Sequence, residues 1–157
     1  MIHYAHFVAH RASQAPLAGA IACLAVIAVC LGDPQAGVGT TAAAGLPSVS
    51  ESPVLDAIAS ARARQMVSDG LTHVRPDSVV MAVADLLQQN RVAYTWDGEN
   101  IYWAGGPPFD DAVSAAEAWW MASPEHRDNI LGAHFRQVGI GTAIDGGKIY
   151  VAAVFTD

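Results

Sequence analysis

The chain has 157 residues, 52% of them apolar, and a formal net charge of −7. Such a length suits one small domain rather than two. With no Lys/Arg cluster and an acidic balance, nucleic acid and anionic membrane surfaces are poor partners on electrostatic grounds.

The first element is an apolar run. Ala15 to Gly32 reads APLAGAIACLAVIAVCLG, without a charge and without amphipathic period. Three histidines and Arg11 precede it, and no acid does. A weakly basic stretch followed by an apolar one is the layout of an export signal. The run is also close to the roughly 20 residues that span a bilayer. Residues 1–32 are therefore expected to be a signal peptide or a membrane anchor, with the rest secreted or held outside the membrane. Cys30-Leu31-Gly32 and Ala42-Ala43-Ala44 are the candidate cleavage points. Both cysteines, Cys23 and Cys30, fall inside the run, so no disulfide is expected in the exported part. Residues 33–51 are small and rich in Gly, Pro and Ser, the composition of a flexible linker. The folded domain is expected over residues 52–157.

Ser52-Pro53 is a helix start. Leu55, Ile58, Ala59, Met66 and Val67 recur near one face behind it, and Gly70 is placed to end the helix. Pro76 biases Arg75 away from helix, so His73 falls in a connecting loop. A second helix is expected over Ser78–Asn90, capped by Asp77 or Ser78. Val92–Trp96 reads as a short strand, Asp97-Gly98 as a turn, and ENIYWA as extended. A third helix covers residues 109–122, with Phe109, Val113, Ala116 and Trp120 on its apolar face. Trp119 and Trp120 cannot share that face, so one is assigned to the core and the other to a cleft or a neighbouring helix. SPEHRDNIL then opens a short helix, again at Ser-Pro. The chain closes with a hairpin, FRQVGIGTAI and KIYVAAVF around Asp145-Gly146-Gly147. The expected class is α+β, a small antiparallel sheet with helices packed on it.

Three side chains are candidates for chemistry. His73 sits in a loop, Glu99 follows the Asp97-Gly98 turn, and His126 is about the third residue of its helix. There the unpaired N–H groups and the helix dipole disfavour a positive charge, so a neutral ring is expected. Two histidines and a carboxylate suit zinc with a fourth position for water, or general acid–base work. The spacing does not choose between these and ordinary surface positions, and no HExxH, paired CxxC or GxSxG motif is present. His134 is expected to be exposed. Arg127 is expected to pair with Glu125 or Asp128, and Asn100 and Asn129 to bind backbone through their amides.

THVRPD, GENI, AWWMASPEHRDNILGAHFRQVGIG and GKIYVAAVF, in that order, resemble a bacterial member of the CAP superfamily of cysteine-rich secretory, antigen 5 and pathogenesis-related 1 proteins, the SCP domains. The resemblance runs from about Leu55 to Phe155. It implies a three-layer α-β-α sandwich and a cleft in which His73, Glu99 and His126 converge. It also implies a divalent cation, zinc or another, at His73 and His126 with Glu99 as a further ligand. Tyr102 and Trp103, beside GENI, would give that cleft an aromatic wall suited to an apolar, lipid- or sterol-like ligand.

The chain departs from the family pattern in three places. Where a second glutamate is usual, three residues past Trp120, stands Ser123. Glu125 replaces a glycine next to His126, and neighbouring helix positions point about 100° apart, so the two should not share a cleft. The first helix usual in the family has only linker in its place, and Ser78 stands where a glycine is typical after His73. The function expected is an extracellular module whose His/Glu cleft binds a cation, an apolar ligand or a cell-envelope component, without a defined reaction. The alternatives are a metal-dependent hydrolase with Glu99 as base, and a purely structural envelope protein.

Overall fold

Ser52 and Pro53 open a helix as their chemistry predicts: α1 runs Pro53–Asp69, and Ser52 holds an extended backbone before it without a capping bond from its hydroxyl. Gly70 ends the helix at φ 82°, a conformation that favours glycine. The computed structural model describes residues 49–157 together with the two-residue strand β1, His10–Arg11. The apolar run, both candidate cleavage points and most of the expected linker lie outside the described residues. A further short strand, β2, covers Ser50–Glu51, so the sheet takes in two residues ahead of the expected domain boundary at Ser52.

The remaining elements are α2, Ala82–Gln89, β3, Trp96–Gly105, α3, Ala112–Ala122, α4, Pro124–Ile130, β4, Gln137–Asp145, and β5, Lys148–Thr156. The five strands lie in the order β1-β3-β5-β4-β2. All pairings are antiparallel except β2 with β4, which is parallel, so the sheet is mixed where an antiparallel one was expected. The hairpin falls where the glycines put it. Asp145 pairs with Lys148, and Gly146 and Gly147 turn at φ 54° and 73°, the double positive φ of a two-residue hairpin turn.

Side chains on the sheet sort by strand alternation. Ile101, Ala152 and Val154 pack with α1 and α2 on one face. Val138, Ile149, Val151, Ala153 and Phe155 pack with α3, α4 and Phe135 on the other. Both faces of β5 are therefore apolar, and the result is the expected three-layer α-β-α sandwich.

Two elements differ from the sequence expectation. The second helix begins at Ala82 rather than Ser78. Val80 N–H donates to the Ser78 hydroxyl at 2.9 Å, and Val74 bridges to Met81 in antiparallel fashion, so residues 78–81 satisfy their backbone without a helix. Val92–Thr95 is not a strand, and Asp97-Gly98 is not a turn. Both residues are inside β3, paired with Thr156 and Phe155.

Candidate functional site

Glu99 is the centre of the site. It lies in β3, not after a turn, and is 3% exposed. Its odd position points it to the α1/α2 face with Ile101. There Oε2 accepts from His73 Nδ1 at 2.6 Å, and Oε1 lies 2.7 Å from Nε of Arg62. Arg62 is on α1 and fully buried. Its Nη2 donates to the Thr72 carbonyl, the residue before His73, so one guanidinium holds both the carboxylate and the loop.

The loop is fixed from its other side as well. Ala82 N–H donates to the His73 carbonyl at 2.9 Å, and Thr72 Oγ1 donates to the Val74 carbonyl at 2.8 Å. His73 is 5% exposed, and its Nε2 is buried with no hydrogen-bond partner. A carboxylate only accepts, so the Nδ1 that faces Glu99 carries the hydrogen. In the neutral ring Nε2 is then the lone pair.

His126 belongs to the opposite layer. It is buried with Asn129 and Ile130 on α4, and its ring stands 4.9 Å from that of Trp119 on α3. Its Nδ1 is buried and unpartnered. Burial first, and then the charge of His73, push its pKa down to about 4. The neutral ring expected from sequence is thus present, with desolvation as the largest cause.

Amides tie this layer to β3. Asn100 Nδ2 donates to the His126 carbonyl at 3.0 Å; Asn129 Nδ2 donates to the Glu99 carbonyl at 3.3 Å and to Asn100 Oδ1 at 2.9 Å. Adjacent residues of one strand thus hold the two histidines: Glu99 takes His73 on one face, and Asn100 takes the backbone of His126 on the other. The structural role expected of both asparagines is what they do.

Other expectations divide. Trp120 is the core tryptophan, donating from Nε1 to the Ile101 carbonyl at 3.1 Å. Trp119 packs on His126 and Tyr102, the latter at 6.1 Å. Tyr102 and Trp103 do not make one wall. Tyr102 packs with the α3/α4 cluster, while Trp103, next along the strand, turns to the other face and has Lys148 Nζ 5.1 Å over its ring. Glu125 is exposed beside buried His126, so the two do point apart. Arg127 donates to the Met121 carbonyl at 3.4 Å instead of pairing with Glu125 or Asp128. His134 is half-buried rather than exposed, its ring between Trp96 at 4.5 Å and Phe135 at 4.3 Å.

Arg62 is the residue that reading the sequence missed, yet the signal was there. Leu55, Ile58, Ala59, Arg62, Ala63 and Met66 form the buried stripe of α1, and a lone charge at helical spacing within such a stripe needs a buried partner. Among the described residues no three His, Cys, Asp or Glu side chains are grouped so as to hold a metal ion. His73 Nε2 and His126 Nδ1 are the buried ring nitrogens of the site without a hydrogen-bond partner.

The sequence pattern of CAP, the cysteine-rich secretory protein family, matches residues 9–156. The chain belongs to the CAP family. Solved structures share the fold. An extracellular SCP-domain protein from Bacillus anthracis is 22% identical with a TM-score of 0.53, over 71% of this chain and 34% of that one. A cysteine-rich secretory protein from Staphylococcus aureus is 22% identical with a TM-score of 0.51, over 71% and 32%. This CAP chain therefore spans about a third of each of those two proteins. An outer surface protein of Borrelia burgdorferi is 16% identical with a TM-score of 0.53, over 71% of this chain and 79% of that one. No curated protein matches the chain.

Proposed function

We propose that this CAP domain works outside the cytoplasm as a non-enzymatic binding module that holds a divalent cation between His73 and His126. The observation that carries this reading is a pair of orphans: each imidazole keeps one buried ring nitrogen with no hydrogen-bond partner. Buried polar atoms are ordinarily satisfied, and two imidazole nitrogens are a donor set for zinc or a similar borderline cation. His126 is held neutral, the state a ligand needs. Glu99 serves behind His73 as its hydrogen-bond acceptor, the usual outer partner of a metal-binding histidine.

The cellular placement rests on the basic-then-apolar N-terminal stretch and on the extracellular and outer-surface descriptions of two structural neighbours. The hydrolase alternative has less support, because both oxygens of Glu99 are engaged by His73 and Arg62, which leaves a poor general base. An apolar or envelope ligand would meet Trp119 and Tyr102 next to His126. The apolar hollow bounded by Val113, Trp120, Ile140 and Phe155 encloses only about 10 Å³, roughly the space of one water.

Zinc titration of the purified protein tests the proposal. Zinc at about 100 times its dissociation constant should raise unfolding free energy by about 2.7 kcal/mol, and a His73→Ala/His126→Ala double variant should show no rise. A folded wild type indifferent to zinc would refute the cation reading and favour a structural role. Zinc-dependent cleavage of peptides or esters would instead establish the hydrolase.

A further inference from the structure

We propose that Arg62 is a positioning residue for the site: through Glu99 it fixes which nitrogen of His73 is offered, and it keeps Glu99 out of any ligand set. The inference rests in part on the cation reading above, since the offered nitrogen is the one that would bind. It starts from three contacts. Arg62 Nε lies 2.7 Å from Glu99 Oε1, Glu99 Oε2 lies 2.6 Å from His73 Nδ1, and Arg62 Nη2 reaches the Thr72 carbonyl. Arg62 and Glu99 have side chains 0% and 1% exposed, so water does not compete for these groups.

A guanidinium has no acceptor and keeps its charge. Placed against Oε1, it leaves the carboxylate free to accept, at its other oxygen, only a hydrogen already on His73 Nδ1. The ring is thereby held as the Nδ1–H form, with Nε2 the free lone pair. Thr72 adds the second constraint. Because Arg62 also holds the carbonyl just before His73, the distance between loop and strand is set by one rigid planar fork. A carboxylate without this arginine would be free to turn an oxygen outward and bind a cation itself.

The fold makes the same assignment from the helix side. Arg62 occupies the buried stripe of α1 between Ala59 and Met66, where a charge is costly unless it is paired. A charge there has a partner to serve. Two of its nitrogens reach the two segments that place His73: Nε forms the ion pair with Glu99 on β3, and Nη2 donates to the Thr72 carbonyl in the loop.

Ring-nitrogen NMR of the full chain tests this without any metal. The wild type should show His73 with hydrogen on Nδ1, and Arg62→Met should release the ring to a mixture of tautomers. Arg62→Lys, which keeps the charge and loses the fork, should fall between them and guards against a methionine variant that does not fold. Zinc affinity should drop about ten- to a hundredfold in the folded variants, the usual effect of losing an outer partner. A wild-type His73 carrying its hydrogen on Nε2 would overturn the proposal, as would an unchanged tautomer in a folded Arg62 variant. If the tautomer moves but neither wild type nor variant binds zinc, the cation reading fails while the positioning role stands.

Discussion

A buried neutral histidine makes a protein sensitive to acid, and His126 is one. Its pKa is depressed to about 4 against an ordinary 6.5. Below about pH 6.5 the unfolded chain takes up a proton that the folded chain refuses, so stability falls as pH drops toward 4 and is flat above the ordinary value. The full shift amounts to about 3 kcal/mol. Urea unfolding of chelator-treated protein at pH 7 and pH 4.5 should show most of this loss, and His126→Gln should remove it. His134, also depressed by burial, acts with the same sign, and its contribution should persist in that variant. His73, Glu99 and His126 were legible because they stand in short motifs, THVRPD, GENI and SPEHR, whose order carries the family resemblance. Arg62 has no motif around it. Its role depends on meeting Glu99 from a distant strand, and helical spacing alone shows that it is buried, not what it touches.

Among the elements, α1 lies with its backbone close against β4. A β-carbon on Gly141 would lie 2.0 Å from Ser60 N and 2.4 Å from the Ala59 carbonyl carbon; one on Gly139 would lie 2.1 Å from the Leu55 carbonyl carbon. These neighbours are helix backbone and cannot rotate away, so the VGIG stretch is what lets α1 lie flat on the sheet. Gly141→Ala should destabilise by about 3 kcal/mol or more. Gly146→Ala, at φ 54° with nothing within 4 Å, should cost only about 1 kcal/mol, the strain of the left-handed turn. Thermal unfolding of the two variants separates close approach from conformation. The same distinction explains the misread of Asp97-Gly98. In sequence an Asp-Gly pair signals a turn, but here glycine is required because a β-carbon at 98 would come 2.9 Å from Phe135 Cζ and 3.2 Å from Asn129 Oδ1. Helices α1 and α3 and the terminal hairpin were readable from period and turn chemistry. Residues 78–81 were not, because the bridge from Val74 to Met81 is a pairing that local propensity does not encode.

For the molecule as a whole, the two hydrophobic clusters among the described residues are built from positions between Val49 and Phe155. A chain beginning at Val49 should therefore unfold in one cooperative urea transition and keep the zinc response of the full chain; loss of cooperativity would show that the preceding residues complete the core. The layers were predictable because strands apolar on both faces need cover on both. What the sequence could not indicate is that the two histidines come from different layers.

That division has a consequence for β3. Glu99 and Asn100 are neighbours that serve opposite sides of the sheet, and the parity of the strand is the only thing that assigns them. Point changes alter one side at a time. Deleting a single residue upstream of them within the strand would exchange their directions, setting an amide before Arg62 and an acid on the α4 side, and both halves of the site would be lost in one event.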